Sequence, residues 1–249
     1  MTVTRDGAEW VRRFHPATHP RARLVCFPHA GGSASYFFPV SRAMAPSVEV
    51  ICLQYPGRQD RRTEPCLDDV AAFADESAAA LAPWTDLPLV LLGHSLGATI
   101  AFETARRLQT AGTEIGGLFA SGRRGPTTER DERVHERDDD GLLAEVRRLS
   151  GTDGAVLSDQ EMVRLIMPAL RADYRAAETY RHTPGETLRC PLTVLVGDTD
   201  PKVTVEEARD WADHTTGPFD LKVFPGGHFF LQDHQPEILA AIARHIDTL

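Results

Sequence analysis

The chain has 249 residues, 42% hydrophobic and 25% charged, which is enough for one globular domain with a full core. Its formal net charge of −9 argues against nucleic acid as a partner. No apolar run reaches the roughly 18 residues that a membrane-spanning helix needs, and residues 1–6 lack the apolar core of a signal peptide. We therefore expect a cytoplasmic protein with no membrane partner.

Strand and helix patterns alternate along the first part of the chain, which is typical of an α/β architecture. Cys26 and Cys52 fall inside two of the apolar strands, so we predict buried free thiols rather than a disulfide or a metal site. The patterns predict an edge strand at 10–14, buried strands at 23–27 and 48–53, and helices at 33–44 and 67–81.

The motif GHSLG at residues 93–97 lies between an apolar run at 89–92 and a helical pattern at 100–109. This order predicts a nucleophile elbow, a sharp turn that lifts the Ser95 side chain clear of the sheet. Glycines two residues before and after the serine fit because the backbone is crowded there. The helix begins directly after Ser95, and its free N–H groups favour negative charge. The alternative is a tight Gly-Ser turn that only packs a helix on a sheet.

A glycine-rich loop, PHAGGSA at residues 28–34, follows the strand at 23–27. In this arrangement the loop supplies one backbone N–H of an oxyanion hole, and the residue after the nucleophile supplies the other. The predicted donors are therefore Ala30 and Leu96. The loop can also be a simple glycine-rich turn with a packed histidine. Three residues are candidates for substrate contact, namely His29, Gly31 and Phe229.

The pattern becomes purely helical after the strand at 115–120. Residues 158–161 match a capping box that opens one of the helices, and Pro168 predicts a kink or a split in it. We interpret residues 124–188, approximately, as a helical insertion that lies over the candidate site as a lid. Its apolar helix faces are expected partly to line or cover the path of the substrate, and they include Leu142, Leu143, Leu165 and Ile166.

The β/α rhythm returns with strands at 192–197 and 219–224 and a closing helix at 235–249. Asp198 and Asp200 follow the first of these strands, and His228 follows the second. Ser, Asp, His is the chain order of an α/β-hydrolase triad, and sites in parallel sheets lie where the strands end. His228 would take the proton of Ser95, and Asp200 would orient the imidazole. We favour Asp200 over Asp198 because it precedes Pro201 and lies further from the strand end.

The predicted fold is a single α/β-hydrolase domain over residues 1–249, with a mostly parallel central sheet flanked by helices. This chemistry needs no metal and no organic cofactor. His182, His214 and His234 do not follow strands in the same way and are predicted to lie at the surface.

Six stretches carry a family pattern: PHAGGSA at 28–34, QYPGR at 54–58, GHSLGA at 93–98, LRADY at 170–174, GDTDP at 197–201 and GGHFFL at 226–231. With them the sequence resembles the type II thioesterases, the stand-alone editing enzymes of polyketide and nonribosomal peptide assembly lines. The resemblance runs from about residue 12 to the C-terminus. It implies Ser95, Asp200 and His228 as the triad. The implied substrate is an acyl chain on the phosphopantetheine arm of an acyl or peptidyl carrier protein.

Two other functions remain open at this point. A carboxylesterase or lipase for small esters would use the same triad, and relative kcat/KM for carrier thioesters and simple esters distinguishes it. A non-catalytic protein that binds carrier proteins could keep the same fold. Labelling by a fluorophosphonate, present in the wild type and absent from Ser95→Ala, would exclude that second alternative.

The implied partner raises a problem of charge. Carrier proteins are typically acidic, and this chain is acidic too, at −9. Docking therefore needs either a local basic patch or mainly apolar contact. We expect a monomer that docks transiently. The candidate docking residues are Arg58, Arg61, Arg62, Arg123 and Arg124.

Overall fold

The structure is a computed structural model, and it describes residues 8–149 and 159–249. The strands are Val11–Arg12 (β1), Arg23–Phe27 (β2), Glu49–Leu53 (β3), Leu89–His94 (β4), Ile115–Ser121 (β5), Leu192–Gly197 (β6) and Phe219–Phe224 (β7). They form one sheet in the order β1-β3-β2-β4-β5-β6-β7. β1 pairs antiparallel with β3 at one edge, and the other neighbours pair in parallel.

Helices cover both faces of this sheet, which explains why the strands are apolar runs without alternation. In β4, Leu89 and Leu91 pack into the core on one face, and Val90 and Leu92 pack into the core on the other. The helices are Phe38–Met44 (α1), Val70–Leu81 (α2), Leu96–Thr110 (α3), Asp139–Leu149 (α4), Gln160–Thr179 (α5), Val205–Arg209 (α6), Phe230–Asp233 (α7) and Gln235–Ile246 (α8).

The two faces have different helices. α2 and α3 contribute to the core on the first face, and α1 and α8 contribute to the core on the second. The buried thiols predicted at Cys26 and Cys52 are confirmed, since both are free cysteines in the second core. Within the described ranges no helix has both the length and the apolar character to cross a membrane.

α4 and α5 lie between β5 and β6 and pack on each other through a small core of their own. Leu142 and Leu143 are buried in that core, and Leu165 is 58% exposed. None of these three leucines lines the pocket beside Ser95, and neither does Ile166, which packs against the small core, so the expectation that they line the acyl path is wrong. α4 buries its leucines against α5, and Leu165 points to solvent. The members of the small core are Val134, Leu142, Leu143, Val146, Met167, Leu170 and Tyr174.

The N-terminus of α5 is capped by Asp159, whose side chain accepts hydrogen bonds from the amides of Glu161 and Met162. Ser158, the predicted cap, lies outside the described residues. Pro168 does not split the helix, because α5 continues from Gln160 to Thr179. Proline has no N–H, so the carbonyl one turn before Pro168 has no helical hydrogen-bond donor. Because Pro168 is exposed, water can reach that carbonyl.

Candidate active site

The turn after β4 places Ser95 in a backbone conformation that is rare for a non-glycine residue, with φ 55° and ψ −120°. The flanking glycines are required by space. A Cβ on Gly97 would lie 2.1 Å from the carbonyl oxygen of Phe27, and one on Gly93 would lie 2.2 Å from that of Gly97. The Ser95 amide donates to the carbonyl of Ser121 at 2.8 Å, which ties the turn to β5. The serine is therefore held at the start of α3, above the sheet.

The structure brings Ser95, His228 and Asp200 together, although they follow three different strands. Oγ of Ser95 lies 3.0 Å from Nε2 of His228. Nδ1 of His228 lies 2.8 and 3.0 Å from the two carboxylate oxygens of Asp200. Because a carboxylate only accepts, Nδ1 carries the proton and Nε2 is free to accept from the serine hydroxyl. Asp198 is directed elsewhere, since its Oδ1 accepts from the amide of Gly226 at 2.8 Å.

The two predicted oxyanion donors, the amides of Ala30 and Leu96, are both close to the serine. Leu96 is the first residue of α3, where amides have no intrahelical acceptor, and Ala30 lines the same pocket as Ser95. Neither amide takes part in the hydrogen bonds found among the described residues. Both donors are thus available for an anionic oxygen at the serine.

Two buried histidines lie next to His228. Burial lowers the pKa of His29 to about 3 and holds the pKa of His94 well below its ordinary value. The positive form of His228 would disfavour their protonation further. Nδ1 of His94 is within 3.1 Å of Oγ of Ser121. Both rings therefore stay neutral near pH 7, where His94 lies within hydrogen-bond distance of Ser121 and His29 packs against the rings of Tyr36 and Phe229.

A partly open pocket lies beside Ser95. His29 and Phe229, two of the three candidates for substrate contact, line it, and their rings pack edge to face at 4.9 Å. Gly31 is not among the lining residues, and its amide donates to Oδ2 of Asp173 at 2.7 Å. Helices α4 and α5 supply Val146, Leu149, Tyr174 and Ala177, and the polar part of the wall consists of Arg123, Glu132, Glu178 and Lys202.

The prediction of a basic docking patch is wrong for Arg58, Arg61 and Arg124. Their exposed fractions are only 7%, 3% and 5%, and each forms an ion pair with a carboxylate. Arg123 is half-buried and donates from Nη2 to the carbonyl of Ala177 at 2.8 Å. Arg62 is exposed. The three ion-paired arginines are therefore part of the interior, where Asp173, Glu64 and Glu132 neutralise their charges.

The three histidines predicted to lie at the surface, His182, His214 and His234, are all at least half-buried. His214 is 6% exposed and packs its ring against Phe102 and Trp211, so its predicted surface position is wrong. His182 and His234 are half-buried. In the described ranges no three His, Cys, Asp or Glu side chains are grouped as metal ligands would be.

Sequence reasoning missed several residues that build the site. The amide of Lys202 donates to Oδ1 of Asp200 at 2.8 Å and so fixes the carboxylate. Tyr174 and Ala177 form pocket wall from within α5, where a helical pattern alone does not show which face meets the pocket. Asp173 belongs to the LRADY stretch of the family pattern, which marks it in the sequence. Its partners, Gly31 and Arg58, are more than 100 residues away, so the sequence does not show what it binds.

A parallel sheet with a serine at a strand-to-helix elbow, and with Asp and His after two later strands, defines the α/β-hydrolase class. A sequence model described as Thioesterase domain matches residues 22–247. The chain therefore belongs to the thioesterase family, among its type II thioesterases. This confirms both the predicted fold and the predicted family.

Individual relatives agree with this assignment. Thioesterase PikA5 of Streptomyces venezuelae is 54% identical over 243 residues, which cover 97% of this chain and 86% of the relative. A probable cadicidin biosynthesis thioesterase of Streptomyces griseus is 56% identical over 243 residues, covering 98% of this chain and 67% of the relative. The solved structure of the type II thioesterase BorB, from the borrelidin biosynthetic cluster, has a TM-score of 0.91 at 48% identity and covers 96% of this chain and 98% of its own.

Proposed function

We propose that the chain is a serine thioesterase that hydrolyses acyl groups from the phosphopantetheine arm of acyl or peptidyl carrier proteins. It would edit or release intermediates of a polyketide or nonribosomal peptide assembly line. The observation that carries this proposal is the 3.0 Å contact between Oγ of Ser95 and Nε2 of His228, beside two free backbone amides. Relatives named for cadicidin and borrelidin biosynthesis support the substrate class.

In the acylation half-reaction, His228 takes the hydroxyl proton of Ser95 while Oγ attacks the thioester carbonyl. The amides of Ala30 and Leu96 donate to the oxyanion that forms. The tetrahedral intermediate collapses by breaking the C–S bond, and the departing sulfur takes the proton from His228. The products are the free thiol of the arm and an ester on Ser95. Because a thiolate departs readily, this step asks less of the general acid than amide cleavage does.

In the deacylation half-reaction, His228 takes a proton from water, and the resulting hydroxide attacks the ester on Ser95. The same two amides hold the second oxyanion. Collapse returns the proton to Oγ of Ser95 and releases a free acid. Asp200 stabilises the imidazolium in both steps and keeps Nε2 directed at the serine.

The pocket supports an acyl chain as the group transferred. Val146, Leu149, Tyr174 and Ala177 give it an apolar wall, and all four come from the helical insertion. We therefore also propose the insertion, residues 124–188, as the lid over the acyl chain. The insertion would contact the substrate through these four residues and not through Leu142, Leu143 and Leu165.

The test is hydrolysis of a panel of acyl groups, each loaded on a carrier protein and on a small thiol. Intact-mass spectrometry would follow both the free acid and the acylated enzyme. We expect turnover of the thioesters by the wild type and none by Ser95→Ala. Higher kcat/KM on simple esters than on thioesters would identify a carboxylesterase instead. Absence of any acyl-enzyme, together with carrier binding, would identify a non-catalytic binding protein.

A further inference from the structure

A buried ion pair lies behind the glycine-rich loop. Asp173, on α5, is fully buried, and its two carboxylate oxygens lie 2.6 and 2.9 Å from Nη1 and Nη2 of Arg58. Burial alone would lower the pKa of Arg58, but the charge and hydrogen bonds of Asp173 outweigh it, so the pKa lies above its ordinary value. Burying a charge costs folding free energy unless the charge is fully paired, and even a paired charge adds little stability. A buried ion pair next to the site therefore suggests a functional role.

Both members of the pair also bind the backbone of the loop after β2. Oδ2 of Asp173 accepts from the amide of Gly31 at 2.7 Å. Nη1 of Arg58 donates to the carbonyl of Gly32 at 3.1 Å, and its Nε donates to the carbonyl of Pro56 at 3.2 Å. The pair therefore joins three segments, namely the loops after β2 and β3 and helix α5.

The peptide groups held by the pair lie within the three peptide units that follow the Ala30 amide. The carbonyl of His29 belongs to the same peptide plane as the N–H of Ala30, and it accepts from the amide of Gly32 at 2.9 Å. In a trans peptide the carbonyl and the N–H point in opposite directions. Fixing Gly32 and the His29 carbonyl therefore fixes the direction of the Ala30 N–H.

Glycine at position 31 keeps this arrangement close-packed. Gly31 has φ +73°, and a Cβ there would lie 2.7 Å from Cδ1 of Leu170 on α5. Helix α5 thus lies directly against the loop, one turn before Asp173. A side chain at position 31 would push the loop away from α5 and so from the carboxylate.

We propose that Asp173 and Arg58 are positioning residues that hold the Ala30 N–H in the direction of the oxyanion at Ser95. This rests on the proposed function, in which Ala30 is an oxyanion donor. Such a donor works only when it is preorganised about 2.7–3.1 Å from the developing charge, and the contacts of Asp173 and Arg58 act together with the hydrogen bond from Gly32 to the His29 carbonyl to hold it there. Because Asp173 belongs to the insertion, the same contact links the position of α5 to the geometry of the oxyanion hole.

The test compares Asp173→Asn with Glu49→Gln on an acyl thioester of a small thiol, so that carrier docking plays no part. Glu49 is a matched control. It is 2% exposed, it binds Arg13 through both oxygens at 2.6 and 2.9 Å, and it accepts from the amide of Ala17 at 3.1 Å. It lies at the start of β3, whereas the site lies beyond the ends of the strands.

For Asp173→Asn we expect kcat to fall about 10²–10³-fold, the effect of losing one oxyanion donor, with KM changed less than about threefold. Glu49→Gln should lose thermal stability to a similar extent and keep wild-type kcat. Wild-type kcat in folded Asp173→Asn, or an equal loss of kcat in Glu49→Gln, would overturn the proposal.

If Asp173→Asn does not fold, a second variant, Arg58→Lys, tests the positioning role. Arg58→Lys keeps the charge opposite Asp173 but cannot reproduce the forked contacts to Gly32 and Pro56. We expect a folded protein with kcat reduced at least tenfold, and wild-type kcat would contradict the proposal. Ser95→Ala separates the two hypotheses. Turnover that survives Ser95→Ala refutes the proposed function, whereas loss in Ser95→Ala with full activity in the Asp173 and Arg58 variants refutes only the positioning role.

Discussion

Asp200 holds His228 with both oxygens of its carboxylate, at 2.8 and 3.0 Å from Nδ1. Asp198, two residues earlier, instead accepts from the amide of Gly226, in the loop that carries His228. The two aspartates therefore have separate tasks. One fixes the imidazole ring, and the other fixes the backbone before it.

Asp200→Asn should lower kcat by about 10⁴, because the amide can donate to Nδ1 and so stabilise the wrong imidazole tautomer. Asp198→Asn keeps a carbonyl that can accept from Gly226, so we expect less than a tenfold loss. Steady-state kinetics on an acyl thioester of a small thiol measures both effects. The reverse ranking would assign the acid to Asp198.

The elbow gives a sharp steric prediction. Gly97→Ala should abolish activity and lower stability, because the new Cβ would lie 2.1 Å from a backbone carbonyl that cannot move without moving β2. Gly227→Ala is the control, since a Cβ there meets nothing within 4 Å. Gly227 is a direct neighbour of His228, yet its variant should keep near-wild-type kcat and melting temperature. Loss of activity in both variants would mean that some property other than steric crowding governs these positions.

The buried His29 should make the free energy of unfolding depend on pH. Burial lowers its folded-state pKa to about 3, and its unfolded-state pKa is about 6.5. Between these values the unfolded chain binds one more proton at this position. The contribution is therefore fully present above pH 6.5 and is lost as the pH falls toward 3.

The free energy of unfolding should fall between pH 7 and pH 5 in both proteins, and the fall in His29→Asn should be about 2 kcal/mol smaller than in the wild type. Urea unfolding at the two pH values measures the difference. His19→Asn removes an exposed imidazole and should retain the wild-type pH dependence. Equal pH dependence in His29→Asn and wild type would show that His29 is not held neutral in the folded protein.

Ser95, Asp200 and His228 could be proposed from the sequence because each lies at the end of its own strand or in the loop that follows it. Parallel strands end at the same edge of a sheet, so residues far apart in the chain meet there without further information. The elbow is even more local, since its glycines, serine and helix are consecutive. These features depend on short-range geometry that a sequence pattern records directly.

Arg58 and Asp173 show what such patterns cannot record. Arg58 stands in a cluster of arginines, which is typical of a solvated surface, but its partner is 115 residues away on α5. Whether a charge is buried depends on that long-range pairing. The burial of His214 has a similar cause, because the ring of Phe102 that packs against it comes from α3, more than 100 residues earlier in the chain.

The wall of the pocket leads to a prediction about acyl specificity. Ala177 lies on α5 in the wall beside Ser95, and its carbonyl is fixed by Nη2 of Arg123 at 2.8 Å. A leucine at this position would fill space that a longer acyl chain needs. The acetyl group needs little of that space. Ala172, on the same helix, lines a separate surface groove and provides the control position.

We expect Ala177→Leu to lower kcat/KM for longer acyl thioesters about 10–100-fold relative to acetyl, since a misfit of one methylene costs about 1–3 kcal/mol in a tight apolar pocket. Ala172→Leu should leave the ratio unchanged. The measurement is kcat/KM on a series of acyl thioesters of one small thiol, from acetyl upward. A uniform decrease for every chain length would mean that the leucine disturbs α5, which also holds Asp173. An unchanged ratio in Ala177→Leu would mean that the acyl chain does not pass this wall, and the apolar residues of α4 and α5 would then have a structural role only.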